Sequence, residues 1–170
     1  MKILFAVGLL LVLLVSGGEA QTAITNRLIN YPAFLANARE VDAIRAAHRL
    51  TEAQFLQAMA EPGVVLLDAR SAAKFKLRHL KGAVNLSLPD FTADDLAQTI
   101  PAKGTKVLIY CNNNFLDSPV AFASKAPAAS LNISTFVNLY TYGYTNVYEL
   151  GPLVNVKSTA LPFEGTEVSK

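Results

Sequence analysis

The sequence predicts an α/β fold, a central and mostly parallel sheet flanked by helices. Two observations carry that expectation. Residues 64–67 (VVLL) and 106–110 (KVLIY) are short runs that are almost wholly apolar, as strands covered on both faces are. Between such runs, apolar residues recur at helical spacing, so strands alternate with helices along the chain. The length of 170 residues fits one ordinary core.

In chain order, residues 21–47 read as an N-terminal helical extension. Within it, Phe34, Ala38, Val41 and Ile44 recur on one side of a helix over 32–47, with Arg39, Glu40, Asp42 and Arg45 between them. The main domain is expected over 48–170. Thr51 and Gln54 have capping-box spacing and open a helix carrying Phe55, Leu56 and Met59, which Pro62-Gly63 ends. Residues 64–67 are the first buried strand and 83–86 a second. Thr92, with Asp95 three residues on, starts a helix to about residue 98. A third strand spans 106–110. Ile133, Phe136, Val137 and Tyr140 trace a helix closed by Gly143, and 147–150 is the last strand.

The N-terminus has the pattern of a secretory signal. Lys2 precedes an apolar run over 3–15, and small residues at Gly18 and Ala20 predict cleavage after Ala20. The run is too short to span a bilayer comfortably. A periplasmic or secreted protein starting at Gln21, with no stable membrane association, is the expectation.

Charge excludes some partners. Fifteen Lys+Arg against thirteen Asp+Glu leave a net charge of +2, and the basic residues are scattered, so nucleic acid is not implied. Two histidines and one cysteine do not supply a usual structural zinc set, and neither metal nor cofactor is expected. The single cysteine is informative. In an oxidising compartment cysteines are usually paired, so a lone Cys111 is either an inert core residue or a thiol kept for its chemistry.

Three segments bear on that choice: Asp68-Ala69-Arg70 after a buried strand, followed by His79-Leu80-Lys81-Gly82-Ala83-Val84-Asn85; Cys111 at the end of the 106–110 strand; and Gly143-Tyr144-Thr145-Asn146-Val147 leading into the last strand. In this order they resemble the rhodanese family over roughly residues 48–151. The resemblance implies sulfur transfer, with Cys111 taking a sulfane sulfur from a small donor, holding it as a persulfide and passing it to a thiol or other nucleophile. It also implies that Asn112, Asn113, Asn114, Phe115, Leu116 and Asp117 form the substrate loop, and that Asp68, Arg70 and His79 are structural supports. Ligands of open parallel sheets bind beyond the carboxyl ends of the strands, where Cys111 falls. Converging N–H groups after it would favour the thiolate and hold a persulfide. A binding module of little turnover, or a redox-sensing thiol, is the alternative.

The sequence departs from that family in two places. The loop after Cys111 has no lysine or arginine, and the sixth position after it is Asp117. A carboxylate there would repel a phosphate dianion, which argues against the cysteine phosphatases that share the fold. The same reasoning predicts a neutral or persulfidic donor rather than thiosulfate. The stretch over 119–131, rich in alanine, serine and proline, makes the connection to Gly143 long. It reads as a lid, a specificity element or a docking site for a protein partner. His48, at the edge of the domain, reads as solvated.

Overall fold

A computed structural model describes residues 25–168, so the expected signal segment lies outside the described residues. The described residues fall into two units, 25–30 and 31–168. In the first, the described residues form a turn in which Asn26 accepts the N–H groups of Leu28 and Ile29 through its side chain and its carbonyl.

The second unit is built on a five-stranded parallel sheet. Its strands are β1 (Arg49–Leu50), β2 (Val65–Asp68), β4 (Val84–Asn85), β5 (Val107–Tyr110) and β7 (Val147–Leu150), in the spatial order β1-β7-β5-β2-β4. Two short pairs lie outside it: β3 (His79–Leu80) runs antiparallel to β9 (Phe163–Glu164), and β6 (Phe115–Leu116) runs parallel to β8 (Val154–Asn155). The helices are α1 (Tyr31–Arg45), α2 (Glu52–Met59), α3 (Ala72–Leu77), α4 (Ala93–Thr99) and α5 (Leu131–Thr141).

Strand alternation divides the core into two layers. Val107 and Ile109 of β5 face one side, where they meet Leu67, Val147, Val41 of α1, Leu96 of α4 and Phe136 of α5. Leu108 and Tyr110 face the other, against Phe55 of α2, Leu66, Phe115, Phe122 and Leu161. Covering both faces accounts for the apolar runs that identified the strands. Each fully buried aliphatic or aromatic side chain contributes roughly 1.5–3 kcal/mol.

The helix starts follow from local chemistry. Thr51 caps α2 in a complete capping box with Gln54, and the Thr92 hydroxyl accepts the Asp95 N–H at the head of α4. Gly143, at φ 85°, takes the left-handed turn that ends α5 and leads into β7.

Three expectations are corrected. The first helix begins at Tyr31 and stops at Arg45, after which Ala46–His48 tighten into a 3₁₀ turn. Its Phe34 is 46% exposed and stacks on Tyr31, while Val41 carries the burial. His48 is not simply solvated. Its Nδ1 lies 2.7 Å from the Val147 carbonyl and its ring stacks on Tyr148 at 4.5 Å, which fixes the chain before β1.

Candidate active site

Cys111 is the first residue beyond β5, a central strand, and is almost fully buried. Its backbone N–H donates to Asn114 Oδ1 at 2.9 Å, its sulfur accepts the Asn114 backbone N–H, and Sγ lies 3.4 Å from Ser130 Oγ. The strand end is held from below. Tyr110 donates its hydroxyl to Asp68 Oδ2 at 2.6 Å and accepts the Leu80 N–H, so the residue before the cysteine is pinned across the sheet. Burial and the adjacent Asp68 carboxylate push the Tyr110 phenol well above its ordinary range and keep it a donor.

Asp68 and Arg70 form one buried unit. Arg70 Nη2 is 2.5 Å from Asp68 Oδ2, and the guanidinium also donates to the carbonyls of Ala121 and Arg78. It lies 4.2 Å from the Phe122 ring centroid. This pair therefore ties β2 to the segment after the cysteine and does not line the Cys111 cavity. His79 also stays away from the thiol: it stacks on Phe75 at 3.8 Å, with Nδ1 2.8 Å from the Phe75 carbonyl.

The six-residue loop expected to cradle a substrate splits in two. Asn112–Asn114 form one 3₁₀ turn under Cys111, and Asn113 and Asn114 line its cavity. Phe115 then enters the core and Leu116 pairs in β6. Asp117, at φ 62°, turns outward to accept Asn155 Nδ2 at 2.9 Å and lies 3.5 Å from Lys157 Nζ. Those two partners hold its carboxyl below the usual range. Phe115, Leu116 and Asp117 thus lie outside the cavity.

The asparagines secure the long connection over 119–131. Asn112 Nδ2 donates to the Ala123 carbonyl. Asn113 exchanges two hydrogen bonds with Lys125, each 2.9 Å, as a strand neighbour would. Ala121 and Phe122 are buried, and the segment delivers Ser130 to the thiol. It is part of the core on one side and of the site on the other. A second cavity of about 400 Å³ opens between this segment and the ends of β2 and β4, lined by Arg70, Lys74, Ser87, Leu88, Asn112 and Lys125 among others.

The cavity at Cys111 measures about 220 Å³ and contains what the sequence loop lacks. Arg45 from the end of α1 and Arg49 from β1 both line it, with Glu149 of β7, Asn132 of α5 and Ser130. Arg45 Nη2 is 2.7 Å and Arg49 Nε 3.1 Å from Glu149 Oε1. The expectation of a cysteine without positive charge beside it is therefore corrected. Strand order explains the miss: β1 is next to β7 and β7 next to β5, so residues from the N-terminal extension reach the cysteine. One signal was readable, since Glu149 is a charge inside an otherwise buried strand.

A family model described as Rhodanese-like domain matches residues 51–150. The rhodanese-like domain of an Anabaena protein, solved in solution, superposes with a TM-score of 0.53 at 18% identity, covering 72% of this chain and 83% of that one. A crystal structure of the same Anabaena protein gives 0.50 at 19% identity over 70% and 94%. A rhodanese from E. coli with bound anions gives 0.39 at 20% over 60% and 98%. No curated protein matches the chain. Arg45 and Arg49 both precede the matched region.

Proposed function

The chain belongs to the rhodanese-like domain family, and from that premise we propose that it is a sulfurtransferase or sulfane-sulfur carrier working through a persulfide on Cys111. The observation that carries the reading is the placement of Cys111. The residue lies past the carboxyl end of a central parallel strand, on the wall of a cavity that two arginines also line, with a backbone N–H directed at the sulfur. In the first step the Cys111 thiolate attacks the sulfane sulfur of the donor. The donor's bond to that sulfur breaks and the donor leaves with the electron pair, as sulfite if the donor is thiosulfate. In the second step a thiol or other nucleophile attacks the outer sulfur of the persulfide and Cys111 leaves as thiolate.

Arg45 and Arg49 favour an anionic donor, because they offset the repulsion between it and the attacking thiolate. No cofactor enters either step. The reaction belongs to an exported protein from which residues 1–20 have been removed, and its partners are small sulfur compounds.

Intact-mass measurement after exposure to thiosulfate, polysulfide or a persulfide tests the proposal. One added sulfur, absent from Cys111→Ser, is the expected result. Failure to load from every donor, in a protein whose thiol still reacts with an alkylating agent, would overturn it in favour of a binding module.

A further inference from the structure

Glu149 has a chemical capacity that sulfur storage alone does not use. Its side chain is 1% exposed, and its Oε1 is paired with Arg45 at 2.7 Å and Arg49 at 3.1 Å. Oε2, by contrast, has no hydrogen-bond partner. Asn132 Oδ1, in the same cavity, is a second buried acceptor without a donor. Buried acceptors are normally occupied, and an unpaired one is costly. Two of them on one small cavity define a place for a molecule that brings hydrogen.

A thiol acceptor of the transferred sulfur is such a molecule, and it must lose its proton to become the nucleophile. Resting on the persulfide reading above, we infer that Glu149 is the base that takes this proton. The S–H bond of the acceptor breaks and the proton passes to Glu149 Oε2. The acceptor sulfur attacks the outer sulfur of Cys111–S–SH, and the S–S bond to Cys111 breaks. Cys111 leaves as a thiolate that the Asn114 N–H stabilises, and the product is R–S–SH. The proton on Glu149 then returns to Cys111 or to water. Atoms and electrons balance with no outside oxidant or reductant.

Other bases are poorly placed. Neither His48 nor His79 lines the cavity, and Glu149 is the only carboxylate among the described lining residues. The groups facing it are Arg45 from α1, Arg49 from β1 and Cys111 beyond β5, while α5 and the turn before it contribute the non-titrating Asn132 and Ser130. Burial raises the Glu149 carboxyl above its usual range against the opposing pull of the two arginines, which suits a proton acceptor.

The test compares two acceptors on Cys111 persulfide made with polysulfide and freed of excess donor. 2-Mercaptoethanol brings a proton that must be removed. Sulfite, at mildly alkaline pH, brings none. Loss of the added sulfur is followed by intact mass in wild type and in Glu149→Gln. The expected result is a fall of about a hundredfold in the ratio of the thiol rate to the sulfite rate in the variant. An unchanged ratio overturns the inference while leaving the persulfide reading intact. If Glu149→Gln does not fold or load, the wild-type pH profile decides. An acidic limb in the thiol rate with a midpoint above the ordinary carboxylate range supports the inference, and a profile following only the acceptor's own ionisation overturns it. A wild type that loads no sulfur overturns the persulfide reading and this inference together.

Discussion

Arg45→Gln removes the better-buried of the two positive charges at Cys111 without deleting the helix that carries it. A guanidinium about 5 Å from a bound anion contributes about 3 kcal/mol per unit charge at an effective dielectric near 20. The Arg45 side chain is 29% exposed and already leans on Glu149, so roughly half of that is a fair allowance. About 1.5 kcal/mol corresponds to roughly a tenfold loss in kcat/KM for thiosulfate. Arg49, at 50% exposure, should matter less. Sulfur loading from thiosulfate should fall in Arg45→Gln, more at low salt than at high salt, and be largely restored in Arg45→Lys. Asp117→Arg serves as the contrast. Asp117 faces Asn155 and Lys157 rather than the cavity, so reversing its charge should change the rate by less than about twofold. The reasoning is refuted if Arg45→Gln loads as fast as wild type in a protein of normal thermal stability, or if Asp117→Arg is the variant that changes the rate.

Two further outcomes follow from the packing and the N-terminus. Phe122→Ala should cost about 3–5 kcal/mol in denaturant unfolding, because the ring is buried among Phe115, Phe163 and the Arg70 guanidinium. A value near zero would mean that the segment over 119–131 is not part of the core. Protein recovered from the exported fraction should begin at Gln21 by mass, and an intact Met1 on membrane-bound protein would count against cleavage.

The longer strands that could be read from sequence were those covered on both faces, and the short edge strand β4 was read beside them at 83–86. β2, β5 and β7 are four residues each and apolar apart from Asp68 and Glu149, and two of the helices announce themselves through Thr51 and Thr92. β1, β3, β6, β8 and β9 are two residues each, too short for any periodicity, and they exist because their partners are in place. The resemblance located Cys111 because motif order is a linear property. It did not locate Arg45, Arg49, Ser130 or Asn132, because their approach to the thiol depends on strand order and on how the 119–131 segment folds back. Asp117 illustrates the converse. Counting six positions from the cysteine assumes one continuous loop, whereas β6 pairs with β8 and carries that position away.

Glu149 joins fold and site, and its effect on stability has a definite sign. Its folded-state pKa is raised chiefly by burial, with Arg45 and Arg49 only partly opposing the shift. Between the unfolded value and that raised value the native state holds more protons than the unfolded state. The contribution of this carboxyl to stability is therefore present at acid pH and is lost as pH rises through the raised pKa. Glutamine has no charge to desolvate and keeps an oxygen toward the arginines, both of which retain some contact with water. Glu149→Gln should accordingly gain stability relative to wild type as pH increases from the ordinary carboxylate range to neutrality. Denaturant unfolding of both proteins across that range measures the difference directly. A difference that stays flat, or one that moves in favour of wild type, would show that the arginines more than compensate for burial. The predicted gain would be the signature of a charge kept at the site against the preference of the fold, as expected of a group that serves the chemistry.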